Sequence, residues 1–211
     1  MIEEDLDVNW GSQAIILPRE QEFFDKLARA GCVNLLHGIE SASNPVLHRM
    51  RKAETRSMIE ETLEKERKAG IKPFGFFITD FIKESWDEYY DTVDFFREND
   101  DLMGAGINTL MIFRNENMPL YSDSGEFDVT VEEPDYDDYI EAAFEKSATY
   151  YVDGEPRDER VKQMKWKHMK KTADYQLFLK NFGRNYPLQF AKKVIQKVYR
   201  KDYQDYSWLY A

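Results

Sequence analysis

The chain has 211 residues, is 42% apolar and 15% aromatic, and carries a net charge of −11, which suits one large domain or one domain with an appendage. No apolar run approaches the ~20 residues of a membrane span, and the acidic opening MIEEDLDVNW is unlike a secretory or transit signal. Cys32 is the only cysteine, so this chain alone holds neither an intrachain disulfide nor an all-cysteine metal site, and a soluble cytoplasmic protein is expected.

The charge is unevenly spread. Residues 157–211 hold 14 Lys/Arg against 5 Asp/Glu, and residues 1–156 hold 15 against 35. Such a basic tail fits either a polyanionic partner or docking on its own acidic domain.

In chain order, VNWGSQAIIL (8–17) reads as a strand stopped by Pro18. Phe23, Phe24, Leu27 and Ala28 recur at helical spacing over 20–30, and Gly31 sits where a C-cap belongs. VNLLHGI (33–39) is a short strand with little alternation, as strands buried on both faces of a parallel sheet are. A short helical piece over 45–51 precedes a helix from Ser57 to Ala69, with Ser57 and Glu60 spaced as a capping box and Gly70 as its stop. IKPFGFFI (71–78) is a third strand. Ser85 and Glu88 form another capping box, for a helix presenting Tyr89, Val93 and Phe96 on one face. GINTLMIF (106–113) is a fourth strand.

Strands alternating with helices imply βαβ crossovers and a parallel sheet. Four such units are half of an eight-fold barrel, and an open half leaves strand edges free to pair with another chain. The expected fold is therefore α/β, a partial TIM-type barrel of about four βα units in residues 1–121. An acidic loop and helix (122–156) and a basic helical extension (157–211) follow. Residues 115–139 read mostly as loop, with helices at 136–151, 158–182 and 187–199.

The order AGCVNLLHGIESAS, AGIKPFGFFITDFIKESWDE, INTLMIFRNENMPLY resembles the second half of a radical S-adenosylmethionine (SAM) domain, in the branch with cobalamin-binding and methylthiotransferase-type enzymes. The resemblance spans 8–121. It implies that the polar residues after the GIES strand, Glu40 and Ser41, contact the ribose of SAM. A carboxylate can accept hydrogen bonds from two vicinal hydroxyls, and ligands of such folds sit beyond the carboxyl ends of the strands. It further implies adenine contacts from Ile78 and Phe113, whose plain alternative is strand-end core. The family's turn after the third strand, Gly-Leu-Pro-Gly-Glu-Thr, is here Asp80-Phe81-Ile82-Lys83-Glu84-Ser85, with acid and hydroxyl kept and both glycines replaced.

The cluster of such enzymes needs a CxxxCxxC loop, which this chain does not contain. The resemblance thus implies a [4Fe–4S] cluster supplied by a partner chain that completes the barrel, acting on a small molecule or RNA. A degenerate scaffold binding a protein or RNA is the alternative. Cys32 reads as a small buried hydrophobe, His37 as a core histidine or a barrel-interior group, and His48 and His168 as surface residues. In the basic tail, Met164, Trp166, Met169 and Ala173 read as docking residues, with RNA binding as the other option.

Overall fold

The computed structural model describes residues 8–99, 101–112, 120, 124–127, 129–131, 150–152, 155–156 and 158–183. Four strands, β1 (Trp10–Ala14), β2 (Cys32–Glu40), β3 (Lys72–Thr79) and β4 (Gly104–Thr109), form one sheet in chain order, every neighbour parallel. Between them run α1 (Gln21–Arg29), α2 (Asn44–Arg49), α3 (Arg56–Lys68) and α4 (Trp86–Glu98). This is the α/β partial barrel expected from the alternation of elements.

Local chemistry explains the boundaries. Gly31 and Gly70 take φ of 89° and 85° after α1 and α3, a region that costs a side chain-bearing residue energy. Ser85 and Glu88 form the expected capping box of α4. The start of α3 differs from the expectation: Thr55, not Ser57, is the N-cap, its hydroxyl accepting from the Met58 N–H. Two S/T-x-x positions compete there, and the extended backbone of Thr55 (φ −115°, ψ 164°) settles it.

The sheet has unlike faces. Along β2, Leu35, His37 and Ile39 are buried while Leu36 and Glu40 are half-buried; along β3, Phe77 and Thr79 are buried while Phe74, Phe76 and Ile78 are half-buried. Helices cover the first face. Phe77 packs its ring against Phe95 and Phe96 of α4, centroids 5.9 and 4.7 Å away; burying such a side chain contributes about 2–3 kcal/mol. On the other face, Phe74 and Phe76 lie over Gly104 and Gly106, where an added Cβ would meet the rings at 2.4 and 2.8 Å. Those two glycines let the aromatic pair lie flat on the sheet.

Beyond β4, the stretch expected to be mostly loop carries two short elements among its described residues. A short 3-10 turn (Ser124–Phe127) leads to a small antiparallel sheet of β5 (Val129–Val131), β6 (Tyr150–Val152) and β7 (Glu155–Pro156). The helix expected over 136–151 therefore gives way to strand at Tyr150, and its remainder, like the helix over 187–199, lies outside the described residues. Val129 joins Val46, Phe81, Ile82 and Ile112 in a second core at the carboxyl end of the large sheet.

A long helix, α5 (Glu159–Gly183), packs on the helix-covered face; its Met169 and Ala173 belong to the main core with Phe77 and Tyr89. The Trp166 indole N–H donates to the Ile107 carbonyl of β4 at 2.8 Å, so α5 covers that side of the sheet. The buried stripe of α5 also carries lysines. Lys165, 2% exposed, reaches Glu84 Oε2 at 3.0 Å, the Glu84 carbonyl at 3.1 Å and Asp80 Oδ1 at 3.4 Å, its ammonium facing the rings of Trp86 and Tyr89. Burial pushes the Glu84 pKa up, and Lys165 pulls it back.

Removing the ammonium leaves the buried Glu84 carboxylate without the cation that opposes its desolvation. Lys165→Met should cost about 3–5 kcal/mol in denaturant unfolding, less at low pH where Glu84 takes up a proton. A loss below ~1 kcal/mol at neutral pH would mean that α5 docks by its apolar residues alone.

Candidate functional site

The carboxyl end of β2 is irregular in a useful way. The register with β3 shifts between Gly38 and Glu40, and Glu40 takes a left-handed φ of 68°. The strand ends there, the Ser41 N–H turning back to the Ile39 carbonyl at 2.9 Å. The Glu40 carboxylate folds over Gly38: a Cβ on that glycine would lie 2.6 Å from Glu40 Oε1. Among the described residues the carboxylate has no hydrogen-bond or ion-pair partner. Burial raises its pKa, with Lys52 opposing and Glu54 reinforcing the shift. Lys52 is held close by, donating to the Gly38 carbonyl and pairing with Glu54 at 2.7 Å.

Glu40 stands in the wall of an open cavity of about 630 Å³, on the sheet face opposite the described helices, with Leu36, Phe76, Ile78, Asn108 and Met111. The volume suits a small organic ligand, and the lining is the usual mix of apolar wall and a few polar groups. The structure thus brings two of the sequence-derived site residues, Glu40 and Ile78, to one cavity. Ser41 points elsewhere: it is buried, and its hydroxyl is engaged by Thr92 Oγ1 at 3.0 Å and the Ser43 N–H at 3.1 Å. Phe113 lies outside the described residues.

The turn after β3 reproduces a glycine-dependent geometry without glycine. Asp80 and Lys83, the two positions where the resemblance expects glycine, adopt left-handed φ of 65° and 58°. Glu84 holds the turn by accepting from the Asp80 N–H at 3.0 Å, while Lys165 fills the space behind it.

Other titratable groups serve the scaffold. His37 faces the helices: its Nδ1 meets the Ala14 carbonyl at 3.0 Å and its Nε2 meets both Glu66 oxygens at 2.9 and 3.1 Å, tying β1 and β2 to α3. The sequence held a signal for that pair, since Glu66 continues the buried stripe of Ile59 and Leu63 at helical spacing. His168 is not on the surface as expected. It shares a 2.7 Å hydrogen bond with the Tyr89 hydroxyl, and burial, then Arg97 and Lys171, lower its pKa. Cys32 is buried beside Phe24, Leu35 and Ile71, its thiol pKa raised by that burial. Among the described residues no three His, Cys, Asp or Glu side chains converge as metal ligands, and no helix is long and apolar enough to cross a membrane.

A parallel half-barrel with a carboxylate at the rim of its second strand is the class of protein this geometry defines. The sequence model of the radical SAM superfamily matches residues 3–96. Among solved structures, OxsB, a cobalamin-dependent S-adenosylmethionine radical enzyme with aqua-cobalamin bound, aligns over 93% of this chain and 38% of its own, with 15% identity and a TM-score of 0.53. Coproporphyrinogen III oxidase (HemN) of Escherichia coli, a radical SAM enzyme, aligns over 79% and 33%, with 12% identity and a TM-score of 0.53. TsrM, a radical S-adenosylmethionine methyltransferase of Kitasatospora setae, aligns over 59% and 26%, with 19% identity and a TM-score of 0.48. No curated protein matches the chain. The chain spans about two fifths or less of the length of each of these three structures. At such identities the likeness is one of fold. Residues 3–96 thus resemble a radical SAM domain in sequence, and the solved structures share the fold.

The state of Glu40 can be measured directly. Carboxyl-carbon NMR should place its pKa above the ordinary 4.5. Its contribution to stability is then full below 4.5 and lost as pH rises through the raised value. Gly38→Ala should push the carboxylate outward and return its pKa toward 4.5 with the fold intact. A parent protein in which Glu40 titrates at or below 4.5 would contradict the half-buried, unpartnered placement.

Proposed function

We propose that this chain provides the nucleoside side of a SAM-binding cavity, and that a cluster-bearing polypeptide completes the half-barrel. The observation that carries this reading is the Glu40 carboxylate: half-buried, without a partner among the described residues, and set in a cavity wall at the carboxyl end of a parallel strand. Ionised, it accepts hydrogen bonds from the two vicinal ribose hydroxyls. Ile78 and Phe76 offer the apolar wall on which an adenine ring packs, and Phe113 is proposed to extend it. Ser41 contributes by fixing the turn that carries Glu40, through Thr92 and Ser43.

The residues of this chain do not fit a [4Fe–4S] cluster. Its single cysteine is buried with a raised pKa, whereas a cluster takes several thiolates. Any reductive chemistry on SAM rests on cysteines that the partner brings. Support for such a partner comes from the edge of the large sheet formed by β1, whose Gly11, Ser12 and Gln13 are exposed and which is flanked by the exposed Val8, Ile15 and Leu17. An uncovered edge strand invites another strand. A lone unpaired cysteine suits a reducing compartment, so we place the protein in the cytoplasm.

One observation favours a second reading, a non-catalytic scaffold that binds a protein or RNA: Lys165 and the non-glycine residues Asp80 and Lys83 close the turn after β3. A titration separates the two. Adenosine should bind the full chain roughly ten-fold or more tightly than 2′-deoxyadenosine, because a hydrogen bond to a charged acceptor is worth ~1.5–3 kcal/mol. Glu40→Gln should abolish the difference, and binding should weaken as pH falls through the raised Glu40 pKa. Equal affinities for the two nucleosides would leave the scaffold reading.

A further inference from the structure

A second open cavity, of about 570 Å³, lies at the same end of the sheet and is walled by the segments that follow β2 and β3. Five of its residues are basic: His48, Arg49, Arg51, Lys52 and Lys83. Glu126 is the one acidic residue of its lining among the described residues. In a chain of net charge −11 this is a local reversal of sign.

The cations are held to different degrees. Arg49 grips Glu88 with both terminal nitrogens, at 2.8 and 2.7 Å, and this holds the Glu88 pKa down at about 2. Lys52 pairs with Glu54. Arg51 pairs with Glu126, but both side chains are more than half exposed, and an ion pair of that kind is readily exchanged. The bidentate grip on Glu88 uses the ends of the Arg49 guanidinium and leaves its Nε–H over. That nitrogen is buried with no acceptor among the described residues. Phe127, under the Arg51 guanidinium at 4.9 Å, gives the cavity an apolar wall.

We propose that this cavity is a phosphate-binding site for a small phosphorylated compound. Arg51 and Lys83 pair with the phosphate and His48 lies at its edge, while Arg49, held by Glu88, adds its charge from the wall. An oxyanion with several acceptor oxygens suits both the forked guanidinium and the point charge of lysine. A phosphorylated compound also displaces Glu126 from Arg51, since it brings more charge to the same donor. The two cavities share no lining residue, although Lys52 of this one donates to the Gly38 carbonyl of the other, and the phosphate ligands proposed here, Arg51 and Lys83, have no part in the nucleoside reading.

Calorimetric titration of the full chain with pyrophosphate and with inorganic phosphate, in low-salt buffer, tests the assignment. Saturable one-to-one binding is expected, tighter for pyrophosphate. Arg51→Gln and Lys83→Gln, two exposed positions, should each weaken it roughly ten-fold while the melting temperature stays at the parent value. Glu40→Gln should leave it unchanged, which keeps this result separate from that for the nucleoside. Binding that does not saturate, or that is equal in the parent and both variants, would overturn the site. A short RNA that binds more tightly than pyrophosphate and loses affinity in the same variants would overturn the small-molecule class.

Discussion

Much of this molecule follows from a parallel sheet whose described helices pack on one side. The alternation of β2 and β3 sends Leu35, Ile39 and Phe77 under α1, α3, α4 and α5, and sends Leu36, Phe76 and Ile78 to the open side. A parallel sheet is ordinarily covered on both faces or closed into a barrel. Here the open side is paved by two phenylalanines lying over glycines, and it keeps a cavity in place of a second helix layer. The place of Glu40 in a cavity wall, and with it the proposal of a partner, stems from that one-sidedness.

The two ends of the sheet are treated differently. At β4, α5 lays its Trp166 on the Ile107 carbonyl and secures itself through the buried Lys165, Glu84 and Asp80 group. At β1 the described structure offers an exposed Gly11-Ser12-Gln13 stretch, the Trp10 indole N–H donating to the Ala30 carbonyl, and the inward tie of His37 to Ala14 and Glu66. A buried ion group is a weak source of net stability, because desolvation offsets much of the attraction. It is, however, selective about what docks, and here it fixes one helix on one turn. That turn is the one whose glycines the sequence replaces.

Local pattern was enough to read the half-barrel. The period of the helices, Gly31 and Gly70 after α1 and α3, and the box at Ser85 and Glu88 are short-range signals, and each corresponds to an observed boundary. The small antiparallel sheet was not legible, because strands of two or three residues within an acidic, turn-rich stretch carry no period to count. Glu40 and Ile78 could be placed at the strand ends from the resemblance, but the inward turn of Ser41 could not. Its hydroxyl answers to Thr92, fifty-one residues away. Lys165 was equally hidden. Amid so many basic residues nothing marks one lysine as buried, and its partners lie on a turn eighty-one residues earlier. Long-range pairings of single polar groups are what a one-dimensional reading loses.

Native-state hydrogen exchange resolved to single amides tests the one-sided, open-edged sheet most directly. The account predicts strong protection in β2 and β3, and fast exchange for the β1 amides that point away from β2, with protection gained there when a cluster-bearing half-barrel is added. Uniformly slow exchange across Trp10–Ala14 in the isolated chain would contradict it, since that edge would then already be paired.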